Sequence, residues 1–347
     1  MPKSYSRPAH APLTGLLARG LRKPEKQSVI LRCKSYEDES NVSTAHSFQT
    51  GKVALVLSNR LGDSLYQMTL ANNLRKAGRD ITVYGVHGYA LREWFPDFDI
   101  QPLPADAASL AGYDTIVQMD PDSPFDGLTR VCPRFLSTKE WGQIHAAPRR
   151  HASPNGILDE FRRFSVDAFG LTEWSNDNGL RAPARFKARR HDKRVILHPT
   201  SSEAERCWTP GKYVIVARRL RAMGYEPVFV LAPAERAHWL PLLEQAHAGL
   251  VEAPSIDGVA AEVYESGWFI GTDSGIGHLA SCCGLSTVTI VDRPRNMPRW
   301  RPAWADNVVV QPWWLPLRSL RRKYWREATT VAAVMRCFSR MVRRRDR

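Results

Sequence analysis

The chain has 347 residues, more than one hydrophobic core usually organises, so two domains are expected. Hydrophobic residues make up 43% and aromatic residues 10%, which fills two cores and excludes a mainly disordered protein. Lys and Arg total 49 against 35 for Asp and Glu, and a net charge of +14 favours anionic partners: phosphorylated small molecules, nucleic acid or an acidic lipid surface.

The domain plan read from the chain is a basic extension over 1–50, α/β domains over 51–185 and 186–324, and a basic C-terminal helix over 325–347. In the extension, Leu13, Leu16, Leu17 and Leu21 share one face of a short basic helix, and 34–52 reads as linker. Its start, 1-MPKSYSRPAH-10, lacks the apolar stretch of a secretory signal, and no apolar run reaches the roughly 18 residues of a membrane span. A cytoplasmic location is expected. The six cysteines form no C-x-x-C pair, so they are expected as reduced thiols.

Order begins at 53-VALVLS-58, a compact apolar run suited to a buried parallel strand. A tight loop, 59-NRLGD-63, leads into a helix through Lys76 that Gly78 can end. Strand 81-ITVYGV-86, a helix over 88–95 and strand 115-TIVQM-119 follow, then a helix over 157–171 and a linker over 183–193. The alternation restarts with strand 194-RVILHPT-200, helix 211–224, strand 227-PVFVLA-232, helices over 234–246 and 258–267, strand 268-WFIGTD-273, a helix over 276–283 and strand 287-TVTIVD-292. Strand–helix alternation of this kind indicates parallel sheets. Two such units in series indicate two Rossmann-like domains, with ligands bound beyond the carboxyl ends of their strands and in the cleft between them. The stretch 325-WREATTVAAVMRCFSRMV-342 places Val331, Val334, Met335, Phe338 and Met341 on one helical face that packs on the body of the protein.

Three strand-end loops carry chemistry. In 271-GTDSGIGHLASCCG-284 a strand runs into a glycine-containing turn and a helix start, which gathers free N–H groups and the positive end of a helix dipole. Such a site suits a phosphate or diphosphate, while Asp273 or Ser274 can equally be a helix cap. A serine nucleophile is not expected, because the G-x-S-x-G elbow is absent. In 58-SNRLGDSL-65, Gly62 lets the backbone turn closely, and Asp63 is either a cap or a general base aimed into the cleft. Neither G-x-G-x-x-G nor a P-loop occurs. In 198-HPTSSEAERCWTPGKY-213, Thr200, Ser201 and Ser202 supply hydroxyls and Arg206 a cation, a set that suits a pyrophosphate. The triplet in 119-MDPD-122 resembles a metal-binding D-x-D motif, but the two-domain layout speaks against that use.

In this order, the loops resemble those of glycosyltransferase family 9, the heptosyltransferases of lipopolysaccharide inner-core synthesis. The resemblance rests on Arg60-Leu61-Gly62-Asp63, on His198 to Pro210, and above all on Asp273, Ser274, Gly275, His278, Leu279, Ala280, Ser281 and Gly284. The segment 294-PRNMPRWRPAW-304 echoes a fourth motif, and the likeness covers about 52–312. It implies a GT-B fold and inverting, metal-independent transfer of a heptose or related sugar from an ADP-sugar to an anionic, lipid-linked saccharide, at the inner face of the cytoplasmic membrane. Under it Asp63 is the base, near Arg60 and Gly62. Thr200, Ser201, Arg206, Ser274, Gly275 and His278 hold the diphosphate, Asp273 orients the loop or contacts the sugar, and Glu235 lies near the nucleoside. No cofactor beyond the nucleotide sugar is implied. Arg206 departs from the lysine of many members. The stretch 120–190 matches poorly, which leaves a protein acceptor as an alternative. A non-catalytic basic module that binds nucleotide or nucleic acid is the alternative from another class.

Overall fold

The structure is a computed structural model and describes residues 51–145, 156–292, 297–312 and 317–346. The basic extension with its leucine face, and the first part of the 294–304 segment, lie outside the described residues.

The first half begins with β1 (Val53–Val56), buried at all four positions. Four apolar residues in succession suit a strand covered on both faces. Helix α1 (Leu61–Lys76) follows and is enclosed nearly all round, which explains why its buried residues include Gln67, Asn72 and Asn73 besides Leu65, Met68, Leu70 and Leu74. Each buried amide is satisfied: Asn72 Nδ2 donates to the Asp177 carbonyl at 2.8 Å, and Asn73 Nδ2 donates to the Ser175 carbonyl at 2.7 Å. Then come β2 (Ile81–Tyr84), α2 (Val86–Ala90), β3 (Asp99–Gln101), β4 (Thr115–Gln118), α3 (Leu128–Val131), β5 (Phe135–Ser137), α4 (Thr138–Ile144) and α5 (Ile157–Phe169). The five strands are parallel in the order β3-β2-β1-β4-β5, with Val56 opposite Gln118.

The second half runs β6 (His191–His198), α6 (Pro210–Ala222), β7 (Glu226–Phe229), α7 (Pro233–Ala246), β8 (Gly249–Leu250), α8 (Ile256–Tyr264), β9 (Ser266–Thr272), α9 (Gly275–Cys282), β10 (Ser286–Ile290), α10 (Met297–Trp300), β11 (Asn307–Val310), α11 (Arg318–Ala328) and α12 (Val331–Arg345). Its parallel sheet has the order β11-β10-β9-β6-β7-β8. Two parallel α/β sheets are thus present, as the alternation indicates. One core cluster joins the halves, with Leu65, Tyr66 and Leu70 of α1 in it beside Leu279 and Ala280 of α9.

Three local expectations are corrected. Strand β6 starts at His191, inside the stretch read as linker. The helix expected over 88–95 is two pieces, α2 and a 3-10 turn over Arg92–Trp94 that buries Trp94. The terminal helix is likewise two: α11 ends at Ala328, and Thr330 caps α12 by accepting a hydrogen bond from the Ala333 N–H at 3.1 Å. The apolar face of α12 is buried at Val331, Val334, Met335, Phe338 and Met341, with Phe338 edge-on to Trp268 at 5.4 Å. Among the described residues no helix is long and apolar enough to cross a membrane.

Candidate active site at the seam of two helix starts

Strand β1 is the middle strand of its sheet, β9 lies inside the other, and each hands over to a helix through a tight loop. The starts of α1 and α9 meet. A Cβ on Gly62 would lie 2.7 Å from His278 Cδ2, and one on Gly275 would lie 2.9 Å from Leu61 Cβ and 3.2 Å from the Gly62 nitrogen. The two glycines therefore serve closeness between helices. Gly62 is the second residue of α1, so its value is the missing side chain and not the turn expected from its sequence position.

The β1–α1 loop is rigidly mounted. Buried Gln67 accepts from the Ser58 N–H at 2.7 Å and donates to the Val56 carbonyl at 3.0 Å. Ser64 Oγ donates to the Ser58 carbonyl at 2.7 Å. Asp63 sits in the first turn of α1, and the N-cap position belongs to Arg60, which is exposed. Burial pushes the Asp63 carboxyl up to about 6, Arg60 and Lys139 pull it down, and Asp120 and Asp273 push it further up.

On the facing side, Asp273 follows β9 and forms an ion pair with Arg206. Arg206 also lies 3.6 Å from Glu203, and Asp273 lies 3.9 Å from His278 Nε2. Ser274 is the cap of α9, its hydroxyl accepting from the Gly277 N–H at 3.4 Å. His278 is buried edge-on to Tyr66 at 5.1 Å. Burial lowers its basicity, so the ring is neutral near pH 7, and its Nδ1 has no hydrogen-bond partner among the described residues. One loop over, Thr200 Oγ1 donates to Glu235 at 3.1 Å, and Glu235 also accepts from the Ala232 N–H at 2.8 Å. Ser201 is half-buried in the loop between Thr200 and Arg206.

Asp63, Gly62, Asp273, Ser274, Gly275, His278 and Arg206 thus converge from two halves of the chain, while Thr200 and Glu235 flank them and Arg60 sits at the rim. Two groups take a place at the site that the sequence reading did not give them. Asp120, the first carboxylate of the Asp-Pro-Asp triplet, is paired with Lys139 and is among the charges acting on Asp63. Buried Gln118 holds its loop, donating to the Asp120 carbonyl at 2.8 Å and the Phe125 carbonyl at 2.9 Å. Tyr66, three residues after Asp63 and so on the same helical face, donates to the Arg301 carbonyl at 2.6 Å and packs on Trp304 at 4.8 Å. That spacing is the signal that finds Tyr66; nothing local marks Lys139.

Two parallel α/β sheets with their strand-end loops turned to one seam form a GT-B type of architecture. The chain is similar, at 16% identity and a TM-score of 0.64 over 82% of its length and 95% of the other's, to a glycosyl transferase family 9 structure from Veillonella parvula DSM 2008. It is similar at 14% identity and a TM-score of 0.59, over 83% of its length and 99% of the other's, to E. coli heptosyltransferase WaaC with ADP-2-deoxy-2-fluoro heptose. Residues 160–313 match the model described as "Glycosyltransferase family 9 (heptosyltransferase)". Lipopolysaccharide heptosyltransferase 3 of Escherichia coli (strain K12) is 26% identical over 127 residues, 34% of this chain; the match spans about a third of that relative, 36%.

Proposed function

We propose that the protein is an inverting glycosyltransferase that moves a heptose or related sugar from an ADP-sugar to the lipopolysaccharide inner core, with Asp63 as general base. The observation that carries this reading is the placement of Asp63 on one helix start directly across the seam from Asp273, Arg206 and the start of α9. In the reaction the acceptor hydroxyl oxygen bonds to the anomeric carbon as the bond from that carbon to the diphosphate oxygen breaks. ADP leaves, and the hydroxyl proton passes to Asp63. A carboxylate with its proton affinity near 6 is anionic at neutral pH and still basic enough to assist.

The leaving diphosphate is received by the N–H groups at the start of α9 and by Arg206, so no metal ion is required for charge neutralisation. Thr200 and Ser201 extend this cradle, and Glu235 faces the nucleoside. His278, being neutral, supports the seam and offers a hydrogen bond in place of charge. The basic α11, with Arg321, Arg322 and Lys323 beside exposed Leu317 and Tyr324, suits contact with the anionic inner face of the cytoplasmic membrane, where a lipid-linked acceptor resides. The test is transfer from ADP-heptose to inner-core acceptor by the purified full chain. Asp63→Ala is expected to abolish transfer and to bind ADP normally; a variant that keeps most of its turnover overturns the base assignment.

A further inference from the structure

Helix α11 lies beyond residue 313, where the family match ends, yet it reaches back to the donor side of the seam. The Arg326 guanidinium gathers three backbone carbonyls of one turn: Nε donates to the Cys207 carbonyl at 2.8 Å, and Nη2 donates to the Ala204 and Glu205 carbonyls at 3.1 and 2.6 Å. Those carbonyls bracket Arg206, whose own guanidinium is against Asp273. The turn is only the 3-10 segment Ala204–Arg206, with no buried residue to hold it by packing. A short polar turn of that kind loses conformational freedom when it is ordered, and three charge-assisted hydrogen bonds offset that loss.

The end of α11 is anchored separately. Lys212 Nζ donates to the Arg326, Glu327 and Thr329 carbonyls at 2.5, 3.0 and 2.9 Å, and the Trp208 indole donates to the Arg326 and Thr329 carbonyls at 3.1 Å each. The helix end is therefore capped without the Arg326 side chain, which is left to serve the turn. We propose that Arg326 is a positioning residue for Arg206, holding the 204–207 turn so that the Arg206 guanidinium stays at the mouth of α9 where the donor's diphosphate binds. This rests on reading that mouth as the diphosphate site.

The test is calorimetric titration of ADP into the full chain and its variants. Arg206→Ala is expected to weaken ADP about tenfold or more, and Arg326→Gln several-fold, on the scale of one or two charge-assisted hydrogen bonds. Arg326→Lys should recover part of the loss, since an ammonium can serve some but not all of three carbonyls. The double variant should bind no worse than Arg206→Ala alone. Lys212→Met removes backbone anchors of α11, the Arg326 carbonyl among them, and should lower the melting temperature while costing less ADP affinity than Arg326→Gln, because the Arg326 guanidinium remains to hold the turn. Arg206→Ala weak with Arg326→Gln normal overturns the positioning role alone, as do losses that add in the double variant. Normal ADP binding by Arg206→Ala overturns the diphosphate site itself.

Discussion

Gly62 and His278 leave no room for a methyl group between them: a Cβ on the glycine would stand 2.7 Å from the imidazole Cδ2. Because His278 is buried and also edge-on to Tyr66, it has no free direction in which to retreat. The contact joins the helix that carries Asp63 to the helix that starts beside Asp273, so the register of the two halves depends on it.

Gly62→Ala is therefore expected to cost about 1–3 kcal/mol by overpacking, and to reduce transfer by moving Asp63 relative to the donor. Thermal denaturation and single-turnover assays check it. Unaltered melting and turnover would show that the seam yields easily.

Transfer should rise with pH as Asp63 loses its proton, with a midpoint near 6. Asp63→Asn should flatten that profile and slow transfer by about 10²–10⁴. The stability sign is opposite. The folded state retains a proton on Asp63 that the unfolded chain releases at its ordinary 3.8, so the Asp63 contribution to stability is full below 3.8 and is lost as pH rises through about 6. Asp63→Asn should accordingly melt higher than the parent at pH 7 and not at pH 4. Equal melting shifts at both pH values would refute the burial argument.

Lys139 and Asp120 act on Asp63 with opposite signs, alongside Arg60 and Asp273. Lys139→Met is expected to move the pH midpoint of transfer upward and Asp120→Asn to move it downward. Midpoints that stay together in all three proteins would remove the pair from the site.

Thr330→Ala deletes the cap hydroxyl of α12 and leaves the Ala333 N–H only the Thr330 backbone carbonyl at 3.1 Å. A loss of about 1 kcal/mol is expected, read by denaturant titration, with ADP affinity unchanged. A loss of affinity would mean that α12 reaches the donor site.

Chelation with EDTA is expected to leave transfer intact, because Arg206 and the start of α9 carry the leaving-group charge in the proposed reaction. Strong inhibition, restored by a divalent ion, would return the Asp120-Pro121-Asp122 triplet to consideration as a metal site.

What the sequence determined by itself was the alternation of apolar strands with helices, and hence two parallel sheets. It also placed the three strand-end loops, because those features rest on local periodicity and turn chemistry. The strands it did not reveal are β3, β5, β8 and β11, two to four residues each, and all four are sheet edges. An edge strand buries little and needs no long apolar run, so its pairing is dictated by the neighbour already in place. The Gly62–Asp63 and Asp273–His278 motifs were legible. That they serve one site came only from the family resemblance, and their direct contact was not legible, since 210 residues or more of chain separate the two loops and only packing of α1 on α9 brings them together. The same holds for Lys139 beside Asp120 and for Arg326 beneath the Arg206 turn: each is an ordinary basic residue in sequence, and its role comes from carbonyls and carboxylates that the tertiary structure delivers to it.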